Sequence, residues 1–236
     1  MREKVQPEVS IIIPTRDEAS VIAWTLQHLQ AARGFAEIIV SDGRSTDGTL
    51  AIAGPLADRV VTLPAGEGED TIAAARNRGA AAAEGKILLF LDADVTTPDP
   101  QQFIRTMTDS FTLWPNLVGV TAFLRVLPDR ATFADRFFSD LINWLFLFVN
   151  GVGSGCAAGE VQAVRSEAFR AVGGFNPALV AGEDFDLFRR IARLGRTRTL
   201  RTLVAYHTGR RVHVVGWLRL LLLWAWNAAA IIFLKR

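Results

Sequence analysis

The chain has 236 residues, half of them hydrophobic, and 26 basic against 24 acidic side chains leave a net charge of +2. This excludes a disordered chain and leaves room for one large α/β domain, or for a domain with an appendage. The single cysteine, Cys156, excludes an internal disulfide and fits a reducing compartment.

Residues 1–10 carry four charges and no apolar run, so no signal peptide is expected and the domain is placed in the cytoplasm. Val9 to Pro14 reads as a strand, and a helix opens at Thr15-Arg-Asp-Glu18 and runs to about Ala32, with Val21, Ile22, Leu26 and Leu29 on one face. Glu37 to Ser41 is a second strand ending at Asp42; a polar stretch through Gly48 and a short helix follow. Arg59 to Leu63 is a third strand, and an alanine-rich helix over about 70–83 leads to Lys86-Ile-Leu-Leu-Phe-Leu-Asp92-Ala-Asp94. Five apolar residues running into two carboxylates read as a buried parallel strand whose carboxyl end opens into a site. If that strand continues, Asp92 and Asp94 share a face and suit a hard divalent cation, Mg²⁺ or Mn²⁺; the same pattern also fits a strand ending in a solvated turn. Strands alternating with helices call for a mostly parallel, doubly wound sheet, with ligands off its carboxyl edge.

Past Pro100 the alternation stops. A helix near 101–114, a strand near 118–126 and a long helix near 132–149 are expected, the last apolar on all sides over Leu145 to Val149. A glycine-rich loop follows, then a strand near 159–164, a helix near 167–172, and Gly182-Glu-Asp-Phe-Asp186 at the head of another helix. Acids there suit the helix dipole as readily as they suit catalysis. Eight arginines and no acid lie between Arg189 and Arg211, which reads as a solvated face or as a surface for phosphate or anionic lipid. Residues 212–234 carry one charge, Arg219, and are long enough to span a bilayer; Arg219 and Asn227 equally fit an interfacial helix.

Four stretches in order, Ser10 to Glu18, Ile39 to Thr49, Ala75-Arg-Asn-Arg-Gly79 with Asp92-Ala-Asp94, and Gly182-Glu-Asp184, resemble a family-2 glycosyltransferase of GT-A fold over roughly residues 8–207. The resemblance implies a Rossmann-like sheet with flanking helices over 1–211, with a nucleotide-binding half at 1–100 and an acceptor half at 101–211; the apolar composition of 212–236 adds a hydrophobic C-terminal helix, read as membrane-associated or as a last helix of the core. The resemblance also implies an inverting transfer from a UDP- or GDP-linked sugar to a hydroxyl or phosphate of a glycan or lipid-linked acceptor, with no nucleic acid involved. The lipid-linked acceptor and a place at the cytoplasmic face of the membrane are expected from composition, from the apolar stretch around Trp144 to Val149, the arginine block and the hydrophobic tail. By resemblance Asp94 is the direct metal ligand, Asp92 holds the ribose or a metal-bound water, and Asp42 accepts a hydrogen bond from the base. Pro14, Thr15 and Glu18 line the base and ribose, and Arg76 reaches the diphosphate or pairs with a neighbouring acid. Asp184, beside Glu183, is the expected catalytic base, and His207 a metal or diphosphate contact. Asp42-Gly43-Arg44 departs from the family's paired aspartates, and no Gln-x-x-Arg-Trp motif follows the acidic pair, so one sugar per encounter is expected. Two alternatives stand beside this reading: a haloacid-dehalogenase-like phosphatase with Asp92 as nucleophile, and a non-catalytic nucleotide-binding membrane module.

Overall fold

Apolar runs bounded by turn residues become strands in the computed structural model, which describes residues 7–66, 68, 70–179 and 181–229. Strands β1 (Val9–Thr15), β2 (Ala36–Asp42), β3 (Arg59–Thr62) and β4 (Ile87–Leu91) pair in parallel in the order β3-β2-β1-β4. Helices α1 (Ile22–Leu29), α2 (Thr49–Ala53) and α3 (Ile72–Ala81) make the crossovers. Along β1 the side chains alternate between two cores: Ile11 and Ile13 pack with Ile22 and Leu26 of α1, and Ile12 packs with Ala73 of α3. Burial on both faces is why these strands read as unbroken apolar runs. Gly79 sets the approach of α3, because a Cβ there would stand 2.4 Å from Ile12 Cγ2.

Asp92 and Asp94 do not continue the strand. β4 stops at Leu91, and a turn closed by the Val95 N–H on the Asp92 carbonyl at 3.1 Å carries both acids. β5 (Val95–Thr96) then follows, and α4 (Pro100–Leu113) begins at Asp99, whose side chain caps the Gln102 N–H. Beyond α4 come β6 (Leu117–Val126), α5 (Phe133–Gly151), β7 (Val161–Arg165), α6 (Ser166–Ala171), α7 (Glu183–Ile191) and β8 (Arg196–His207). The full sheet order is β3-β2-β1-β4-β7-β6-β8-β5, with β7 antiparallel to β4 and β6, β5 antiparallel to β8, and β6 parallel to β8. The sheet is thus mostly parallel, as expected from sequence, in β3-β2-β1-β4 and again between β6 and β8, and the antiparallel β7 and β5 enter where the regular helix–strand alternation stops.

The tail does not form one long helix. α8 (Arg210–Val215) and α9 (Trp217–Ala229) are separated at Gly216, whose φ of 85° and ψ of 146° leave the helical path. Among the described residues no helix is long and apolar enough to cross a membrane, and residues 230–236 lie outside them. The start of α9 is pinned to α5: Trp217 Nε1 donates to Asp135 Oδ1 at 2.7 Å, and the Trp217 ring stacks on Phe138 at 5.5 Å.

Candidate active site

Parallel pairing brings the ends of β1, β2 and β4 to one edge. Thr15 lies opposite Asp42, and the Asp92–Asp94 turn follows β4 beside β1. Two loops are sewn together above that edge. Asp17, at φ 55°, accepts the Thr46 N–H at 2.7 Å; its own N–H donates to Ser45 Oγ at 2.8 Å; and the Ala19 N–H donates to Asp47 Oδ2 at 2.9 Å. The polar Ser45-Thr46-Asp47 stretch thus holds the loops, and aspartate is among the few side chains that tolerate the left-handed region.

Between the loops and α3 lies a cleft of about 290 Å³, lined by Pro14, Thr15, Arg16, Glu18, Gly43, Asp70, Thr71, Ile72, Ala75, Asp92, Ala93, Asp94 and Arg210. Four of the expected ligand residues on the first strands and the acidic turn, Pro14, Thr15, Glu18 and Asp92, line it together with Asp94. Asp42 does not. Its side chain is fully buried, and its carboxylate accepts from Thr15 Oγ1 at 3.3 Å, from the Ser45 N–H at 2.9 Å and from the Ser45 hydroxyl. Asp42 fixes the loop whose Gly43 faces the cleft, and the base contact expected of its carboxylate is not presented. Asp70 lines that end instead, with its carboxylate held by Arg78 at 2.6 Å.

At the other end the two acids have different partners. Asp92 Oδ1 accepts from Arg76 Nη2 at 3.0 Å. Burial lifts its carboxyl to about 6, against the pull of Arg76. Asp94 Oδ2 accepts from the Thr208 hydroxyl and from Arg210 Nε at 3.3 Å, and its Oδ1 takes no hydrogen bond from a described residue. β5 pairs Val95 with His207, which sets the imidazole next to Asp94. Burial holds His207 below its ordinary pKa despite the nearby carboxylates, so the ring is neutral and its Nδ1 accepts the Gly209 N–H at 3.3 Å. Arg210 spans the mouth, with Nη2 on Glu18 Oε1 at 3.0 Å.

Among the described residues no three His, Cys, Asp or Glu side chains converge as a closed metal cage. The donor set still fits Mg²⁺ or Mn²⁺, which take one or two carboxylates together with phosphate and water oxygens. Asp94 offers a free carboxylate oxygen, and neutral His207 and Asp92 flank it.

Arg76 is 1% exposed and does not open onto the cleft. Its Nη1 donates to Glu183 Oε1 at 2.7 Å, its Nη2 to Asp92 and to the Gly159 carbonyl at 2.6 Å, and Phe175 lies against it at 5.4 Å. Of the two roles the sequence left open, pairing with neighbouring acids is the one the structure displays. Glu183 is equally buried by this pairing, whereas Asp184 keeps partial exposure. Asp184 Oδ1 accepts the Phe185 N–H at 2.8 Å, and a Cβ on Gly159 would stand 3.0 Å from its Oδ2. Burial first, then the charge of Glu183, push the Asp184 carboxyl up to about 7.

Sequence reasoning passed over Arg210, Thr208, Asp70 and Glu160. Arg210 had a signal, since it lies in the last pair of the arginine block, three residues after His207. Glu160 is placed by its carbonyl, which accepts the Asp92 N–H at 3.0 Å, and burial raises its carboxyl. Asp70 had no local signal.

The family model for glycosyl transferase family 2 matches residues 10–164. The succinoglycan biosynthesis protein ExoA of Rhizobium meliloti is 30% identical over 197 residues, covering 78% of this chain and 58% of that protein. Glycosyltransferase AglJ of Haloferax volcanii is 30% identical over 146 residues, covering 61% and 45%. The chain therefore spans about half the length of these curated relatives. Among solved structures, the mannosyltransferase PcManGT from Pyrobaculum calidifontis, in complex with GDP-Man and Mn²⁺, superposes with a TM-score of 0.68 at 23% identity over 87% of this chain and 58% of that one. Glucosyl-3-phosphoglycerate synthase from Mycobacterium tuberculosis, solved with Mn²⁺, UDP and glucosyl-3-phosphoglycerate, gives 0.59 at 22% identity over 89% and 75%. These two share the fold. Because the family match runs from β1 into β7 and takes in β1, β2 and β4, whose ends form the cleft edge, the phosphatase alternative falls away: the chain belongs to glycosyl transferase family 2.

Proposed function

We propose that the chain transfers one sugar from a nucleoside-diphosphate sugar to a hydroxyl of a glycan or lipid-linked acceptor, with inversion at the anomeric carbon. The observation that carries this reading is the pairing of a cleft floored by Asp92 and Asp94 with a separate acid, Asp184, whose carboxyl is raised to about 7. Pro14, Thr15, Glu18, Gly43 and Asp70 form the nucleoside end of the cleft. Asp94, with Asp92 and His207, would hold a Mg²⁺ or Mn²⁺ ion, which when bound neutralises charge building on the leaving diphosphate. Arg210, which pairs with Glu18 and Asp94, is the half-exposed cation placed to turn toward that diphosphate.

Asp184 is the general base. Near neutral pH its carboxylate is poised to take the acceptor hydroxyl proton while the oxygen attacks the anomeric carbon from the side opposite the diphosphate. Arg76 and Glu183 are positioning residues in this scheme: the guanidinium ties the Asp92 turn to the first turn of α7, and so sets the distance between the leaving group and the base. The nucleotides named for the two structural neighbours, GDP-Man and UDP, support a diphosphonucleoside donor without choosing the base.

Calorimetric titration with UDP and GDP, each with Mn²⁺ and with chelator, tests the reading. Metal-dependent binding of one nucleotide, lost in Asp94→Asn, is expected. A folded protein that binds neither refutes the donor assignment, and tight binding without transfer to any lipid-linked or glycan acceptor points to a non-catalytic module.

A further inference from the structure

α5 is built inside out. Its buried residues are all polar, Asp135, Ser139, Asn143 and Asn150. Phe133, Phe137, Leu141, Trp144, Leu145 and Phe148 are instead exposed, by 49% to 86%. At about 100° per residue these six fall in an arc of ~120°, one side of the helix. A surface helix of a water-soluble protein runs the other way.

The buried amides hold this orientation. Asn143 Oδ1 accepts the Leu124 N–H, and its Nδ2 donates to the Leu124 carbonyl, both at 3.0 Å. Asn150 Nδ2 donates to the Cys156 carbonyl at 2.8 Å and to Thr199 Oγ1 at 2.9 Å. Rolling the aromatic face inward would strand these groups without partners. α9 adds a second stripe beside the start of α5: Leu218, Leu222 and Trp226, spaced four apart, are 64% to 71% exposed, while Leu220 is buried.

The charge around this face has one sign. Arg136, Arg201, Arg211 and Arg219 are exposed, and none makes a salt bridge with a described residue. Arg201 lies 4.9 Å over the Trp144 ring, at the edge of the stripe. Arg136, with Arg125 and Tyr206, lines a hollow of about 250 Å³ at the head of α5. Of the acids on α5, Asp135 is buried and Asp140 is paired with Arg125 at 2.6 Å; after Asp186 the chain has no acid at all.

We propose that the α5–α9 face docks on an anionic bilayer, the apolar stripe lying in the headgroup–acyl boundary and the arginines meeting lipid phosphates. A second copy seated on the same face would set these arginines against their own equivalents, which the charge disfavours. α8 starts at Arg210 in the cleft and leads into α9 on this face, so docking presents the transfer site to an acceptor carried at the membrane surface.

The test is flotation of the full chain with vesicles of phosphatidylcholine, alone or mixed with phosphatidylglycerol, with tryptophan emission followed in parallel. Flotation with the anionic vesicles only, a blue shift, and weakening at high salt are expected. Phe133→Ser/Phe148→Ser and Arg136→Glu/Arg219→Glu should each lower partitioning about tenfold or more, with unchanged circular dichroism and melting, since interfacial binding scales with buried apolar area and with basic charge. Wild-type protein that stays with the soluble fraction, or Phe133→Ser/Phe148→Ser floating as well as wild type, overturns the proposal. So does a stable dimer that the same phenylalanine substitutions dissociate. Nucleotide titration of the same samples reports on the donor cleft independently of the lipid result.

Discussion

Replacing Arg76 by methionine keeps most of the side-chain volume and removes the one charge that joins the two halves of the site. In the native chain the guanidinium, 1% exposed, holds the Glu183 carboxylate, 9% exposed, and the Asp92 carboxylate, 26% exposed. Stripping a buried ion pair of one partner costs about 3–5 kcal/mol. Asp92 keeps a quarter of its surface open, so solvent screens part of its share and the lower end, about 3 kcal/mol, is expected. Against a total stability of about 5–15 kcal/mol this is a large fraction, and it corresponds to a Tm lower by roughly 6–12 °C in a domain of this size. Urea denaturation followed by circular dichroism reads it as a lower midpoint at unchanged slope. Adding Glu183→Gln to Arg76→Met should return about 1–2 kcal/mol, because the stranded charge is then gone. The deficit should also narrow as pH falls toward about 6, because without the pull of Arg76 the Asp92 carboxyl takes up its proton at a higher pH than in the native chain and then no longer needs the cation. An Arg76→Met protein within about 1 kcal/mol of wild type, or a double variant less stable than Arg76→Met alone, would refute the view of Arg76 as a buried tie.

Asp184→Asn should lower turnover by about 10²–10⁴-fold while leaving nucleotide affinity intact, and the wild-type rate should climb with pH through about 7, as the carboxylate forms. The same raised pKa works against folding: stability from this group is greatest below the ordinary carboxylate pKa and declines as pH rises toward 7, a slope that Asp184→Asn removes from melts taken across that range. At Asp135 burial would raise the carboxyl, but hydrogen bonds from Thr132, His213 and Trp217 outweigh it and hold the group below the usual range. Its stabilisation is therefore present above about pH 4 and lost as pH falls further, and tryptophan emission during acid titration should report the release of Trp217. Thr132→Ala removes one arm of the capping box and should cost about 1 kcal/mol in urea. Gly155→Ala places a Cβ 2.2 Å from the Phe188 carbonyl oxygen at a φ of +78°, and a loss of about 2 kcal/mol or more is expected; a neutral result would refute the close approach of this loop to α7.

Local patterns carried much of this protein. The apolar runs at Val9, Ala36 and Ile87 had to become buried strands, because no other short element hides residues on both faces, and their alternation with helices placed Thr15, Asp42 and Asp92 at one edge. What the same patterns could not say is which way each polar group is spent. Arg76 and Glu183 lie 107 positions apart, and nothing in the periodicity around either residue encodes their contact. Asp42 sits where the motif requires, yet its carboxylate is consumed by Ser45 and Thr15, a matter of how two loops stack. The tail read as a single apolar helix because hydropathy is blind to one positive φ at Gly216. In α5 the composition was plain, but only the amides of Asn143 and Asn150, bonded to β6, to the loop after α5 and to β8, decide that the aromatic side faces outward. Sequence determines propensity and period, which are local; the partners of buried charges and the outward face of a helix are settled by contacts between distant segments, where each unsatisfied polar group carries a cost that only packing can remove.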